Sequence, residues 1–507
     1  MADTSPQAGP QRTYRAACPG CGAPVEFRSA QSAFAVCSFC HSTVVRDGDA
    51  LSRIGKMAEV FEDYSPLQLM ATGVITGAAF TLVGRLQYRG ETGTWTEWIA
   101  AFDDGSQGVL SEDNGSFVFS LPADLGRDVP YADALRVGAT TAAFGKSWSV
   151  ASNISVTLIS AQGELPKLPQ GAAPFKMVEL RSADGEVLSI DYGTSPAVVS
   201  RGKGVALENL LMKGLREEAA KEQKGRQFAC PNCGAPVEVT LASTKSITCA
   251  ACHSIIDVSQ GIGGELRHAT QEQTSEPVVP LGSAGKLQGV DWQVVGFQHR
   301  VGHEAGDDNE KFGWDEYLLY NRTRGFTFLV DSDDGWSLVR PATGAPTLSP
   351  NKQSAVYLGE GYPLQDSYEA ETTYTAGEFY WPVEAGQKTF NRDFGKGANL
   401  LSMEETPKEV TWSSGSKIAS DTVAAAFNLQ DKSEMMKRGD AGPTTPGRGC
   451  AGVGCGTIVL MLIVIIIILL VLKACMDGGG PSGYYGGVPR TSGGSFSGYS
   501  GGSGGHK

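Results

Sequence analysis

The chain lacks the features by which many enzymes and nucleic-acid-binding proteins are recognised. It has no run of five or more Lys and Arg residues and a net charge of −13, which argues against nucleic acid as the main partner because phosphate binding needs a basic face. It has no Gly-x-x-x-x-Gly-Lys-Ser/Thr loop for phosphates. Its six histidines are too few and too scattered to suggest a catalytic set. The N-terminus has no apolar secretion signal, so we expect reduced thiols and a cytoplasmic setting.

One cysteine motif occurs twice. Each copy has a Cys-x-x-Cys-Gly-Ala-Pro-Val stretch and, with fifteen residues between its second and third cysteines, a Cys-x-x-Cys-His-Ser stretch. This spacing is typical of a tetrahedral four-thiolate zinc site, in which two tight turns aim four sulfurs at one point. The predicted ligands are Cys18, Cys21, Cys37 and Cys40 in the first copy and Cys230, Cys233, Cys249 and Cys252 in the second.

We expect these cysteines to bind two structural zinc ions. Disulfide or redox use, or a different metal such as iron, are the alternatives. Gly22 and Gly234 follow the second cysteine of each motif and should relieve the bend there. His41 and His253 follow the fourth cysteine, and because four thiolates already fill a tetrahedron we expect them to lie outside the ligand set. Such a closed site stabilises the fold and leaves no position for a substrate.

The rest of the soluble part is predicted to be mainly β. Short apolar segments alternate with turn sequences such as Asp104-Gly105, Asn114-Gly115 and Asp184-Gly185, a pattern that favours antiparallel strands in a small barrel or sandwich. Apolar residues at helical spacing predict linking helices over 205–223 and about 416–437. The predicted organisation is a flexible N-terminus (1–16), zinc ribbon 1 (17–48), β domain 1 (64–200), a linker helix (201–226), zinc ribbon 2 (227–262), β domain 2 (278–427), a linker (428–452), a transmembrane helix (453–473) and a disordered Gly/Ser/Tyr-rich tail (474–507).

The repeat extends beyond the cysteines. Cys18 and Cys230 are 212 residues apart, and Phe80-Thr-Leu-Val-Gly matches Trp292-Gln-Val-Val-Gly at the same offset. Further on, Gly163-Glu164-Leu165 matches Gly377-Glu378-Phe379. The sequence therefore predicts a tandem duplication in which a zinc ribbon and a β domain were copied together.

A long apolar run near the C-terminus predicts a membrane anchor. From Val453 to Leu472 the chain is apolar or small, and about 20 residues in a helix reach about 30 Å, the thickness of a hydrocarbon core. A buried strand is the alternative, but strands seldom run this long. Basic residues slightly favour the N-terminal side as cytoplasmic, with three Lys or Arg before the span against two after it. Gly452 and Gly456 form a small-xxx-small step that would pair two anchors into a homodimer.

Two acidic residues are the candidate binding groups outside the cysteine motifs. Glu97 follows Trp95, and Glu316 follows Trp314, at the spacing that puts both side chains on one face of a strand. A carboxylate held against an indole loses solvent, which raises its pKa. Each is interpreted either as a ligand-facing acid or as the cross-strand partner of an Arg or Lys.

These strand motifs carry a resemblance. The chain resembles the bacterial family catalogued as domain of unknown function 4178, which pairs a Phe/Trp-x-Val-Val-Gly strand, here Trp292 to Gly296, with a Trp-x-Glu-Tyr strand, here Trp314 to Tyr317. The family's later Glu-x-x-Trp-Ser-x-Gly segment is similar to Glu409 to Gly415. The first copy departs from the pattern, with Trp98 in place of Tyr. The resemblance implies an architecture and a membrane-associated setting, and it implies no catalytic residues.

The sequence predicts a single-pass membrane protein of the cell membrane with its N-terminal domains in the cytoplasm. We expect a non-enzymatic scaffold, adaptor or sensor whose partners are the lipid bilayer and other membrane or cytoplasmic proteins. An enzyme that uses acids such as Glu97 and Glu316 in a β-domain cleft is the first alternative. A zinc-ribbon regulator that binds nucleic acid is the second, although the basic residues near the ribbons are sparse.

Overall fold

The computed structural model describes most of the chain up to Lys437. The described residues are 14–29, 31–47, 50–57, 65–90, 94–167, 173–216, 226–241, 243–259, 266–271, 275–304, 311–322, 324–384, 386–406 and 409–437. Strands dominate this part, and all strand pairings between named strands are antiparallel. The prediction of a mainly β protein is confirmed.

The described residues of the first copy form fifteen strands. Those of ribbon 1 are β1 (Tyr14–Ala17), β2 (Pro24–Phe27), β3 (Phe34–Val36), β4 (Ser42–Asp47) and β5 (Ala50–Lys56). Those of barrel 1 are β6 (Thr72–Ile75), β7 (Ala78–Arg89), β8 (Thr94–Phe102), β9 (Gln107–Asp113), β10 (Ser116–Pro122), β11 (Thr140–Ala143), β12 (Lys146–Leu165), β13 (Phe175–Arg181), β14 (Glu186–Asp191) and β15 (Val198–Val205). Single 3₁₀ turns occur at Ala132–Ala134 and Leu207–Leu210.

The second copy repeats this order. Ribbon 2 consists of β16 (Arg226–Ala229), β17 (Pro236–Val239), β18 (Ser246–Thr248), β19 (Ile255–Asp257) and β20 (His268–Ala269). Barrel 2 consists of β21 (Ala284–Leu287), β22 (Val290–Glu304), β23 (Lys311–Asn321), β24 (Gly325–Ser332), β25 (Gly335–Pro341), β26 (Thr347–Leu348), β27 (Ser354–Tyr357), β28 (Glu360–Phe379), β29 (Lys388–Lys396), β30 (Asn399–Glu405) and β31 (Val410–Ile418). The chain then forms α1 (Ser420–Ala426), a 3₁₀ turn at Gln430–Lys432 and α2 (Ser433–Met436).

Each copy closes eight strands into a barrel. In barrel 1 the order is β12-β13-β14-β15-β10-β9-β8-β7, and β7 pairs again with β12. In barrel 2 the order is β28-β29-β30-β31-β25-β24-β23-β22, and β22 pairs with β28. Closure is possible because β12 and β28 are each 20 residues long and bind neighbours on both sides. The duplication predicted from sequence is thus a duplication of a closed barrel.

The turns form where the sequence predicts them. Gly105, Gly115 and Gly185 have φ values of +87°, +81° and +79° at the tips of three hairpins, and a residue with a Cβ atom is strained in this left-handed region. Asn114, which precedes Gly115 in its turn, also has a positive φ, of +47°. Asp-Gly and Asn-Gly pairs therefore set the register of barrel 1 locally.

The ribbons are joined to the barrels, which the sequence analysis did not predict. In ribbon 1, β3 pairs with the end of β12, with Val36 opposite Gly163 and Phe34 opposite Leu165. In ribbon 2, β18 pairs with the end of β28, with Ser246 opposite Phe379. The second hairpin of each ribbon therefore continues the barrel sheet.

The first linking helix, predicted over 205–223, is wrong in its described part, residues 205–216. Residues up to Val205 belong to β15, and only the 3₁₀ turn Leu207–Leu210 follows before Leu211 adopts a left-handed φ of +47°. Leu207 and Leu210 are buried against Phe80 and the other apolar residues at that end of barrel 1, so tertiary packing overrides the helical spacing. Residues 217–225 of the predicted helix lie outside the described residues.

The second predicted helix is confirmed in part. Over 416–437 the chain first completes β31 and then forms the short α1 and α2. Val423 and Phe427 are buried against the barrel, and Trp336 Nε1 donates to the carbonyl of Met436 at 2.9 Å. The start of the predicted linker 428–452 is consequently folded onto barrel 2. At the other terminus, β1 begins at Tyr14, inside the segment expected to be flexible.

No helix in the described part of the chain is long and apolar enough to cross a membrane. The predicted span 453–473 and the tail 474–507 lie outside the described residues, as do residues 1–13.

The two copies contact each other through different surfaces. Arg181 Nη1 donates to the carbonyl of Ala342 at 3.1 Å, and the amide of Leu358 donates to the carbonyl of Ala183 at 2.8 Å. The hairpin tips at Gly115 and Gly325 touch so closely that a Cβ atom on Gly115 would lie 2.2 Å from the Cα of Gly325. Backbone contact of this kind depends on glycine at both positions.

Candidate metal centres

Each four-cysteine group is built from two similar turns. After Cys21 the amide of Gly22 donates to the carbonyl of Cys18 at 2.8 Å, and after Cys40 the amide of His41 donates to the carbonyl of Cys37 at 2.9 Å. The residue after each Cys-x-x-Cys pair has a left-handed φ, +78° at Gly22 and +57° at His41. Ribbon 2 repeats this geometry at Gly234 and His253. The expected role of the two glycines is confirmed.

The sulfurs lie at the separations of a tetrahedral metal site. Cys18 Sγ and Cys40 Sγ are 3.7 Å apart, as are Cys21 Sγ and Cys37 Sγ. In ribbon 2 the corresponding distances are 3.7 and 3.8 Å. A tetrahedron with metal–sulfur bonds of about 2.3 Å has sulfur–sulfur edges of about 3.8 Å, whereas a disulfide needs about 2.05 Å. Both groups could therefore hold one metal ion each.

Hydroxyl groups support one sulfur of each centre. Ser42 Oγ lies 3.2 Å from Cys40 Sγ, and Ser254 Oγ lies 3.3 Å from Cys252 Sγ. The side chain and then the backbone amide of Ser42 lower the pKa of Cys40 to about 6. Ser254 lowers the pKa of Cys252 to about 5 in the same way. Each site thus holds one thiol that readily becomes the thiolate that binds metal.

The histidines after the fourth cysteines are not part of the four-sulfur groups. His253 points to the barrel, where its Nδ1 lies 3.1 Å from the hydroxyl of Tyr374. Gln271 adds a second link, because its side-chain nitrogen donates to the carbonyls of His253 and Thr375 at 2.6 and 2.9 Å. The second cysteine turn of ribbon 2 is therefore held directly against β28.

A buried carboxylate attaches each ribbon to its barrel. Glu164, on β12, accepts hydrogen bonds from the amides of Arg28 and Ser29 at 2.7 and 2.9 Å. Glu378, on β28, accepts from the amides of Thr240 and Leu241 at 2.9 and 3.0 Å. Burial raises the pKa of Glu164. In the sequence this attachment is marked by the repeated Gly-Glu-Leu/Phe motif, which by itself indicates only that the two copies align there.

The two candidate acids have different surroundings. Glu316 is fully buried, and it accepts hydrogen bonds from Trp314 Nε1 at 2.6 Å and from Gln298 Nε2 at 2.5 Å. Burial raises the pKa of Glu316 to about 7. Glu97 is only partly buried, and Trp95 stacks on Tyr88 with ring centroids 5.1 Å apart. Of the two candidate acids, Glu316 is thus the desolvated carboxyl beside an indole, while in barrel 1 it is Glu112 that accepts a hydrogen bond from an indole, Trp98 Nε1, at 2.9 Å.

Comparison with known proteins identifies a family for both barrels. The family model described as Domain of unknown function (DUF4178) matches residues 70–206 and 280–420. The first match covers most of barrel 1, and the second covers most of barrel 2, while the cysteine ribbons lie outside both. Neither a curated protein nor a solved structure matches the chain. Since the two matches together span more than half of its length, the chain belongs to the DUF4178 family, of which it carries two copies.

Proposed function

We propose that the protein is a membrane-anchored scaffold or adaptor that presents two zinc-stabilised barrels on the cytoplasmic face of the cell membrane. The ions would be structural zinc, one per ribbon, and the anchor would be the apolar segment 453–473. Its partners would be the bilayer and other membrane or cytoplasmic proteins.

The observation that carries this proposal is how the metal centres are built into the barrels. Four sulfurs fill the tetrahedral positions of each site, and Glu164 and Glu378 attach the ribbons to the long strands β12 and β28. A metal ion held this way would have a structural role and stabilise the fold. A catalytic role would require a coordination position open to a substrate, and a closed four-thiolate site has none. Zinc binding to such sites contributes folding free energy directly.

The enzyme alternative depends on the acids. Glu316 has the raised pKa of a general acid or base, but its side chain is fully buried among Trp314, Gln298 and Arg300. A general base must reach the substrate proton within hydrogen-bond distance. The buried position of Glu316 therefore favours a role inside the barrel over a role at a cleft.

The nucleic-acid alternative has little support from charge. The basic side chains of the first hairpin of ribbon 1, Arg15 and Arg28, both lie near Glu26, at 3.5 Å. Phosphate binding requires basic groups that are free to replace counterions. Retention of DNA or RNA by the purified protein, lost at higher salt, would revive this alternative.

Membrane fractionation and metal analysis together test the proposal. The full chain should sediment with membranes and contain about two zinc ions per polypeptide, and a variant lacking residues 453–473 should move to the soluble fraction with its zinc intact. A control that replaces part of the tail, residues 486–506, should stay in the membrane. Full-length protein that stays soluble, or that contains far less than two zinc ions, would contradict the proposal. A small-molecule turnover lost in the Glu97→Gln/Glu316→Gln double variant, with membrane-partner binding unchanged, would favour an enzyme.

A further inference from the structure

The interior of barrel 2 contains more acid than base. Arg300 on β22 is fully buried; its Nη2 donates to Glu404 at 3.3 Å and to Thr389 at 2.6 Å, and its Nη1 lies 3.7 Å from Glu316. Asp393 on β29 is buried in the same region, where Ser402 and Tyr368 donate to it at 2.6 and 2.7 Å. Three carboxyl groups thus share this interior with one guanidinium.

Barrel 1 keeps acids at the equivalent places, Glu97, Glu179 and Asp191, but it has a tyrosine at the position of Arg300. Tyr88 lies opposite Trp95 on neighbouring strands, as Arg300 lies opposite Trp314. On the adjoining strands Ile154 pairs with Met177, where barrel 2 has Tyr368 and Asn391. Barrel 1 therefore closes with Tyr88 where barrel 2 has its buried arginine, so closure of the barrel does not require Arg300.

One of these acids is buried in both copies, but it is paired with a cation only in barrel 1. Glu179 and Asp393 hold equivalent places, opposite Ser189 and Ser402. Glu179 receives a hydrogen bond from Arg181 Nε at 3.0 Å, and both side chains are buried. Asp393 is bonded by neutral hydroxyls, and the charges of Asp366 and Glu316 oppose its ionisation. A buried carboxylate without a cation is costly, and such groups usually keep a proton.

We propose that barrel 2 contains a proton-binding centre, in which Glu316, Asp393 and Glu404 share at least one proton around Arg300 near neutral pH, and that loss of this proton loosens the barrel. The charged and titratable groups that face the centre come from each neighbouring strand: Arg300 from β22, Glu316 from β23, Asp366 and Tyr368 from β28, Asp393 from β29 and Glu404 from β30.

The hydrogen bonds allow both protonation states. A carboxylate at Glu316 accepts from the amide nitrogen of Gln298, and rotation of that amide would let its oxygen accept from a protonated Glu316. Nε and Nη1 of Arg300 and Oε2 of Glu404 have no hydrogen-bond partner among the described residues. Unpaired buried polar atoms of this kind mark a strained polar network, which small changes in charge can shift.

The direction of the pH effect follows from the pKa values. Burial raises the pKa of Glu316 and of Asp393 to about 7, and it also raises the pKa of Glu404. The folded chain then keeps protons that the unfolded chain loses at about pH 4 to 4.5. The contribution of these groups to stability is therefore fully present below about pH 4 and is lost as the pH rises towards 7, and over that interval the unfolding constant increases about tenfold per pH unit for each proton retained.

Two measurements on the full chain test the proposal. Infrared difference spectra in D₂O between about pH 5 and pH 8 should show the carbonyl band of a protonated buried carboxyl that disappears at the higher pH. The melting temperature of the wild type should fall over the same interval, and the Glu316→Gln/Asp393→Asn variant should lose most of that fall. Glu97→Gln, at the equivalent place in barrel 1, is the matched control and should keep the wild-type dependence.

Absence of the carbonyl band in the wild type would overturn the proposal even if the double variant does not fold. A double variant that folds and melts with the same pH dependence as the wild type would also overturn it. The carbonyl band depends on neither the membrane segment nor the zinc content, so its absence is distinct from a failure of the proposed scaffold function.

Discussion

Glu378 Oε2 accepts a hydrogen bond from the backbone amide of Leu241 at 3.0 Å, although the two residues are 137 positions apart. This bond joins the last residues of β28 to the segment of ribbon 2 that follows β17. Glu164 does the same for ribbon 1. The attachment is therefore a repeated feature of the molecule.

Glu378→Gln is expected to weaken the docking of ribbon 2. The amide that replaces one carboxylate oxygen cannot accept from a backbone amide, and hydrogen bonds to charged groups contribute about 1.5–3 kcal/mol. Hydrogen exchange at Thr240 and Leu241 should accelerate, with barrel 1 unaffected. Glu369→Gln, an exposed residue of the same strand, is the control. Unchanged protection at Leu241 would show that the carboxylate does not hold the ribbon.

Ser42→Ala is expected to make ribbon 1 release metal at a higher pH. The Ser42 hydroxyl and amide lower the pKa of Cys40 to about 6, so without the hydroxyl protons compete better for this sulfur. When the protein is titrated with acid and zinc release is followed with a chromogenic chelator, the zinc of ribbon 1, half of the total, should be released at a higher pH than in the wild type. Ser38→Ala is exposed in the same turn and should behave as the wild type. Identical release curves for Ser42→Ala and Ser38→Ala would contradict the role of the hydroxyl.

Arg300→Met should destabilise barrel 2 strongly. Removing the cation leaves Glu316 and Glu404 without their buried partner, and breaking a buried ion pair from one side costs about 3–5 kcal/mol. Arg324→Gln breaks the exposed pair with Glu208 and should cost at most about 1 kcal/mol. Denaturant unfolding monitored by tryptophan fluorescence measures both. Equal small losses would mean that the interior carboxyls do not depend on Arg300.

Gly115→Ala should weaken the contact between the two barrels. Gly115 and Gly105 both have a left-handed φ, so alanine costs about 1–2 kcal/mol of backbone strain at either place. Only at Gly115 does the new Cβ atom meet the backbone of Gly325, which should add about 1–3 kcal/mol. Urea unfolding of the two variants gives the difference. If Gly105→Ala proves equally destabilising, the barrels do not press together at this point.

The features predicted correctly from the sequence are those set by local spacing. Two Cys-x-x-Cys turns need only their own residues to aim the sulfurs, and Gly22 adopts the φ that its position demands. Hairpin turns such as Asn114-Gly115 likewise fix strand register within a few residues. The duplication was visible because both kinds of local pattern recur at nearly constant offset.

The features that the sequence did not predict depend on distant parts of the chain. Arg300 lies where β22 shifts register against β28, between His299 and Arg300, and such irregularities change which side chains point inward. Nothing near Arg300 in the sequence indicates that Glu404 will face it. The wrong helix prediction over 205–216 has a similar cause, because Leu207 and Leu210 are positioned by the barrel end they cover.

The pairing of β3 with β12 limits how the chain can be cut into separate folding units. Because the second ribbon hairpin supplies hydrogen-bond partners to the end of the long barrel strand, a cut between them would leave an open sheet edge, and exposed edges promote aggregation. A ribbon or a barrel produced alone would expose this edge and would be prone to aggregate. We therefore expect a ribbon and its barrel to fold well only when they are kept together in one segment.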